Sequence, residues 1–178
     1  MLKLPAMANM EVEIAALVRK CQARDGRALT IGAAESATGG RIADRLTGVA
    51  GSSDYFRGSL VAYSNEVKIS LLRVKRTTIE NHGAVSSQTA LEMARGGREL
   101  LGLDICISAT GIAGPGGGTA DKPAGLFYLG MVAEDETLTE KHVFTGDRDE
   151  NKRQATEAAL DMLRRYLQVY LRTSKGAV

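Results

Sequence analysis

Apolar positions along this chain recur with two periods. Between residues 10 and 25, Ile14, Leu17, Val18 and Cys21 fall at i, i+3, i+4 and i+7, the stripe of an amphipathic helix. Gly26 stops it. Leu29 to Ala34 is a short apolar run that fits a buried strand, and a second helix is expected from about Gly40 to Gly48. Residues 56–63 read as a strand, and Ser64-Asn65 offers N-cap side chains for the helix after it. His82-Gly83 marks a turn. Ser86 or Ser87 then caps a helix over 87–101, with Ala90, Met93, Ala94, Gly97 and Leu101 on one face. Gly96-Gly97 inside it weakens the helix by about 1 kcal/mol each against Ala. Such glycines usually mark close packing on a neighbouring backbone.

The second half continues with a strand from Asp104 to Thr110 and a Gly-rich loop over 111–118. Strands from Leu126 to Ala133 and from Leu138 to Phe144 flank the acidic turn Glu134-Asp135-Glu136. A long helix over 150–170 carries Leu160, Leu163, Leu167 and Tyr170 on one stripe, and a frayed tail is expected from Thr173 to Val178. The order α-β-α-β-α-α-β-β-β-α predicts an α/β fold: a three-layer sandwich whose mixed, mostly parallel sheet has helices on both faces. The last two strands form an antiparallel hairpin. With 178 residues and no linker or repeat, a single domain is expected.

Composition narrows the chemistry. Lys and Arg total 23 against 21 Asp and Glu, and eight aromatics include no Trp. Neither a basic tract nor a stacking surface for nucleic acid is present. Apolar runs are too short for a membrane-spanning helix. Cys21 and Cys106 lie far apart with no CxxC, so neither a zinc site nor a disulfide framework is expected. His82 and His142 alone cannot make a His-rich metal site. The N-terminus MLKLPAMANM lacks the apolar core of a secretory leader, and a cytoplasmic location is expected.

Four segments carry candidate chemistry. AESATGG, residues 34–40, joins a strand to a helix, the place where ligands gather in open α/β sheets. Ser36 stands there as a candidate nucleophile, with the N–H groups of Thr38, Gly39 and Gly40 for an oxyanion. The alternative is a helix cap and a glycine turn. Neither His is well placed as the base for Ser36. YSNEVK, residues 63–68, offers Lys68: with Asn65 as cap, Lys68 falls at the third helical position, where the helix N-terminus disfavours its charge. Tyr63 can hydrogen-bond within the same cluster. A solvated lysine is the alternative.

ATGIAGPGGG, residues 109–118, has five glycines in eight positions from Gly111. Their N–H groups can form an anion nest, and the hydroxyls of Ser108 and Thr110 adjoin it. It is neither a P-loop nor G-x-G-x-x-G. A plain surface loop is the alternative. Arg148, Lys152 and Arg153 open the last helix, where cations oppose the helix dipole. An anionic ligand explains them, and so does a salt-bridged helix start with Asp147, Asp149 and Glu150.

Together, AESATGG, GSSDYFRGSLVAYSNEVK (51–68), HGAVS (82–86), SATGIAGPGGG (108–118), KPAGLFY (122–128) and FTGDRDENKRQAT (144–156) resemble the CinA C-terminal domain family. That family is also called nicotinamide mononucleotide deamidase or nicotinamide-nucleotide amidohydrolase. The resemblance spans roughly residues 10–170. It implies hydrolysis of the carboxamide of nicotinamide mononucleotide to nicotinic acid mononucleotide and ammonia, in pyridine nucleotide recycling. It implies Ser36 as nucleophile and Lys68 as base, with Tyr63 beside it. Implied substrate contacts are Thr38, Gly39, Gly40, Thr110, Gly111, Gly114, Gly116 and Arg148. No metal or cofactor is implied, and a homo-oligomer, commonly a dimer, is.

Two departures stand out. Ala37 replaces a cysteine that many members carry, and the large N-terminal domain of many members is not in this sequence, so a stand-alone amidohydrolase is expected. A non-catalytic nucleotide-binding or competence-associated module is the alternative.

Overall fold

A computed structural model of the chain describes residues 10–173. The expected fray beyond Thr173 and most of the N-terminal segment read for a leader lie outside the described residues. Helix α1 (Met10–Asp25) leads into β1 (Ile31–Glu35) and α2 (Arg41–Thr47). A single 3-10 turn, Ser52–Asp54, precedes β2 (Phe56–Val61). Three helices follow: α3 (Asn65–Ser70), α4 (Arg76–His82) and α5 (Ser87–Leu101). Then come β3 (Ile105–Gly111), β4 (Leu126–Val132), β5 (Thr137–Val143) and α6 (Arg148–Arg172).

The strands form one sheet in the order β2-β1-β3-β4-β5. β1 pairs in parallel with β2 and β3, while β4 pairs antiparallel with β3 and β5. Four strands therefore run one way and β4 alone runs against them. The mixed α/β sheet is the one expected, and the β4–β5 hairpin falls where the acidic turn placed it.

Side-chain alternation along the strands sorts the core into two layers. On one face, Ile31, Ala33, Ile105, Ile107, Leu129 and Met131 meet α1, α2 and α6 through Ile14, Val18, Ile42, Leu46, Leu160 and Leu163. On the other, Ala34 and Cys106 meet Met93 of α5 together with Leu72 and Leu103. Sequence and structure differ over α4. Its segment, RTTIENH, buries only Thr78. It shows no apolar stripe to read, and its two threonines are poor helix formers. His82 closes it, and Gly83 continues at φ 80°.

α5 lies unusually close to the sheet, as Gly96-Gly97 foretold. A Cβ on Gly96 would stand 1.8 Å from the carbonyl oxygen of Leu72, and one on Gly97 would stand 2.8 Å from Cys106 Sγ. The strands are trimmed to match: a Cβ on Gly130 would lie 2.7 Å from Ala90 O. Ser108 Oγ donates to that carbonyl at 2.6 Å. Buried between these elements, the Cys106 thiol is pushed up to about 12 and stays protonated.

Leu72 lies just beyond α3 and its C-cap Leu71, so the packing of Gly96 bears on the backbone that leaves that helix. Gly96→Ala should lower stability by about 1–3 kcal/mol through overpacking. Urea unfolding checks this against Gly116→Ala. No atom lies within 4 Å of a Cβ at Gly116, and that change should stay within about 0.5 kcal/mol of wild type.

Candidate functional site

The C-terminal ends of β1, β2 and β3 carry the site. β1 ends at Glu35, and the next N–H, that of Ser36, donates to Ala109 O at 2.9 Å. Ser36 thereby stays in line with the sheet, on the face that α5 covers. β2 ends at Val61, and the chain passes through Ala62, Tyr63 and Ser64 into α3. Ser64 caps that helix by accepting from Val67 N at 3.2 Å. The cap is thus Ser64 rather than Asn65, and Lys68 is the fourth residue of α3 rather than the third.

Lys68 turns inward and is 2 % exposed. Its Nζ lies 2.9 Å from Ser36 Oγ and 2.9 Å from Ala62 O. Among the described residues it has no carboxylate partner at ion-pair distance. Burial holds its pKa below the ordinary lysine value, with Glu66 acting in the opposite sense. Desolvation, rather than the end of a six-residue helix, is the leading cause. As a neutral amine, Nζ can donate to Ala62 O and accept the Ser36 hydroxyl proton. Ser36 and Lys68, 32 residues apart in sequence, form a buried hydrogen-bonded pair, the arrangement that a serine nucleophile and its base require.

Other candidate residues sit differently. Tyr63 is 60 % exposed, and its hydroxyl accepts from Arg148 Nη2 at 2.9 Å. It is bonded to Arg148 rather than to Lys68 or Ser36, which corrects its expected place in the proton-transfer cluster. The oxyanion donors also need correction. Gly39 N–H already donates to Ser36 O at 3.1 Å, and Gly40 N–H to Glu35 Oε2 at 2.9 Å. The Thr38 hydroxyl donates to the same oxygen at 2.8 Å. Gly39 (φ 66°) and Gly40 (φ 94°) are glycines because the turn is left-handed twice in succession. Among the described residues, the N–H groups of Ala37 and Thr38 are left without an acceptor.

Thr110 is buried and its hydroxyl donates to Ala84 O at 2.7 Å. Gly111 is packed under Phe127, whose ring would lie 2.4 Å from a Cβ there. The loop after it carries Gly114, whose carbonyl accepts from Arg148 Nη1 at 2.8 Å. Gly116 is exposed, with open space about it. Arg148, the first residue of α6, therefore ties the β2–α3 connection to the Gly-rich loop with both arms of its guanidinium. One helical turn on, Lys152 Nζ stands 3.1 Å from where a Cβ on Gly39 would be. Arg153 pairs instead with Glu150, and Arg41 with Asp149. The salt-bridged helix start is real for those residues, while Arg148 and Lys152 face the site.

Two supporting residues escaped the sequence. Asn151, 2 % exposed, donates to Ala113 O and Gly146 O and accepts from Gly146 N. Lys122 Nζ donates to His82 O and Val85 O, fastening the far side of the Gly-rich loop. A poor helix former such as Asn inside a helix is the signal that was available. A cleft of ≈ 630 Å³ opens between Gly114, Pro115, Phe144 and Arg148. The Ser36–Lys68 pair is not among its walls, and Arg148 joins the two. His142 pairs with Glu140 at 2.9 Å and stacks on Phe144, away from Ser36. Among the described residues, no three His, Cys, Asp or Glu side chains gather as metal ligands, and no helix is long and apolar enough to cross a membrane.

An α/β sheet with a buried Ser–Lys pair at its strand ends defines the class, and the relatives define the family. Residues 13–167 match the CinA C-terminal domain. A CinA-like protein of Salinibacter ruber is 51 % identical over 148 residues, 83 % of this chain and 35 % of that protein. A CinA-like protein of Dictyoglomus thermophilum is 52 % identical over 141 residues, 79 % of this chain and 34 % of that one. The chain spans about a third of the length of these curated relatives. The crystal structure of competence/damage inducible protein CihA from Agrobacterium tumefaciens matches 97 % of this chain and 100 % of its own, with TM-score 0.82 and 34 % identity. This chain belongs to the CinA C-terminal domain family.

The direction of the Lys68 shift sets a stability prediction. Below the ordinary lysine pKa of ~10.4 the unfolded chain binds a proton that the folded chain holds less tightly, so wild-type stability gains with pH in that window. Lys68→Met removes this dependence. The stability of Lys68→Met minus that of wild type should therefore fall as pH rises from 7 toward 10, measured by urea unfolding at each pH. A difference independent of pH would mean that Lys68 is charged when buried.

Proposed function

We propose that this chain hydrolyses the carboxamide of nicotinamide mononucleotide, giving nicotinic acid mononucleotide and ammonia. The observation that carries the reading is the 2.9 Å contact between Lys68 Nζ and Ser36 Oγ in a buried setting. Family membership supports it. Neutral Lys68 takes the Ser36 proton as Oγ attacks the carboxamide carbon. The carbonyl oxygen becomes an oxyanion, for which the N–H groups of Ala37 and Thr38 are available donors. Protonated Lys68 then returns its proton to the departing nitrogen, the C–N bond breaks and ammonia leaves. Water, deprotonated by the same amine, attacks the Ser36 ester. The acid is released and the Ser36 hydroxyl is restored.

In this reading the 5′-phosphate lies toward Arg148, Lys152 and the Gly-rich loop. Tyr63 acts through Arg148, as a wall of the site rather than as a carrier of protons. Arg148 also braces two loops, so its two roles need separating.

Three variants test the reading. Ser36→Ala should lower ammonia release from nicotinamide mononucleotide by at least about 10³-fold while the protein stays folded. Full turnover by folded Ser36→Ala would end the covalent mechanism. The wild-type rate should rise with pH through one ionisation below ~10.4, because the base must be neutral. Lys68→Arg should be nearly inactive throughout, since a guanidinium stays protonated.

Arg148→Ala should weaken nicotinamide mononucleotide more than nicotinamide riboside, by about 1.5–3 kcal/mol for a charge-assisted contact. Titration calorimetry of both ligands reads the difference. Equal losses would leave Arg148 as a loop brace only.

A further inference from the structure

Glu35 has no part in the chemistry just described, yet it stands next to the nucleophile with a full set of partners. The residue is 0 % exposed. Its Oε2 accepts from Thr38 Oγ1 at 2.8 Å, Gly40 N at 2.9 Å and Ile42 N at 3.2 Å. Its Oε1 accepts from Ala43 N and Ser59 Oγ, both at 3.0 Å. Among the described residues no cation pairs with it. Five hydrogen-bond donors from three elements meet the buried carboxyl group instead.

Local structure explains the need. The N-cap of α2 is Gly40, which has no side chain to cap the helix. The first-turn N–H groups would otherwise be orphaned. Glu35 supplies the missing acceptor from across the turn. Its backbone belongs to β1 and its carboxylate grips residues 38, 40, 42 and 43, so Ser36 and Ala37 are enclosed in a loop tied at both ends to one side chain. Ser59 adds a fixed point on β2. Strand alternation sends Glu35 to the α2 face and leaves Ser36 on the Lys68 face. The clamp thus acts without occupying the substrate side.

We propose that Glu35 is a positioning residue: by clamping the 36–40 turn to α2 and β2 it holds Ser36 Oγ within hydrogen-bond distance of Lys68 Nζ. Gly39 and Gly40 make the turn permissive, and a nucleophile displaced by about 1 Å can lose 10²-fold in rate. The inference rests on the Ser36–Lys68 reading of the function.

The test compares Glu35→Gln, Thr38→Val and Ser59→Ala with wild type. In Glu35→Gln the amide turns an N–H₂ group toward donors. Its crystal structure should show Ser36 Oγ displaced from Lys68 Nζ beyond 3.5 Å with the sheet unchanged. Turnover of nicotinamide mononucleotide should fall about 10²-fold in kcat, with KM altered less than about threefold. The pH profile should keep its shape, because the ionisation belongs to Lys68.

Thr38→Val and Ser59→Ala each remove one donor and should lower kcat in the same way but less. They decide the matter if Glu35→Gln fails to fold. Variants that keep the Ser36–Lys68 hydrogen bond, or that raise KM alone, would overturn the inference. Absence of any turnover by wild type would remove the proposed reaction instead, and the Ser36–Lys68 separation in the variant structures would still decide the role of Glu35.

Discussion

The site depends on withdrawing one amino group from water. Lys68 Nζ has two acceptors, a hydroxyl and a carbonyl, and neither carries charge. A buried ammonium without a carboxylate is costly, and burial accordingly lowers the pKa of Lys68. A solvated lysine beside Ser36 would remain charged at neutral pH and could take no proton from it. The burial that the fold imposes on Lys68 is therefore what the proposed mechanism needs to use an ordinary side chain as its base.

The fold secures that burial with small residues. Gly96, Gly97 and Gly130 allow α5 to approach Leu72, Cys106 and the carbonyl of Ala90 more closely than side chains would permit. Leu72 is in turn fixed just beyond α3, and the carbonyl of Lys68 accepts from Val74 N at 3.1 Å. On the opposite face, Glu35 gathers the start of α2. Ser36 is thus approached from two layers, with Lys68 held by the α5 layer and the turn that carries Ser36 held by the α2 layer. The parallel β1–β2 and β1–β3 ladders bring the three contributing strand ends to the same edge of the sheet.

Family membership rests on similarity along residues 13–167 and on a fold shared over 97 % of the chain with a solved member. The two curated relatives are about three times longer, so what their other parts do is not carried by this chain's structure. The Ser36–Lys68 pair lies wholly within the matched region, and its chemistry can be argued from this chain's own atoms.

Much of this was legible in the sequence by itself. The period of the apolar positions gave the order of the main helices and strands, because burial of a stripe or an alternating face is a local constraint written into the chain. Gly96-Gly97 announced close packing, and AESATGG and YSNEVK singled out Ser36 and Lys68, which the fold brings together. What the sequence could not reveal was which groups are already bonded. The N–H groups of Gly39 and Gly40 looked available until Ser36 O and Glu35 were seen to accept from them, and Tyr63 looked like a neighbour of Lys68 until its hydroxyl was found on Arg148. Glu35 reads as an ordinary acidic residue until five donors converge on it from α2, β2 and its own turn. Hydrogen bonds between segments dozens of residues apart leave no periodic mark on the chain; only the packing of both layers on one sheet decides them.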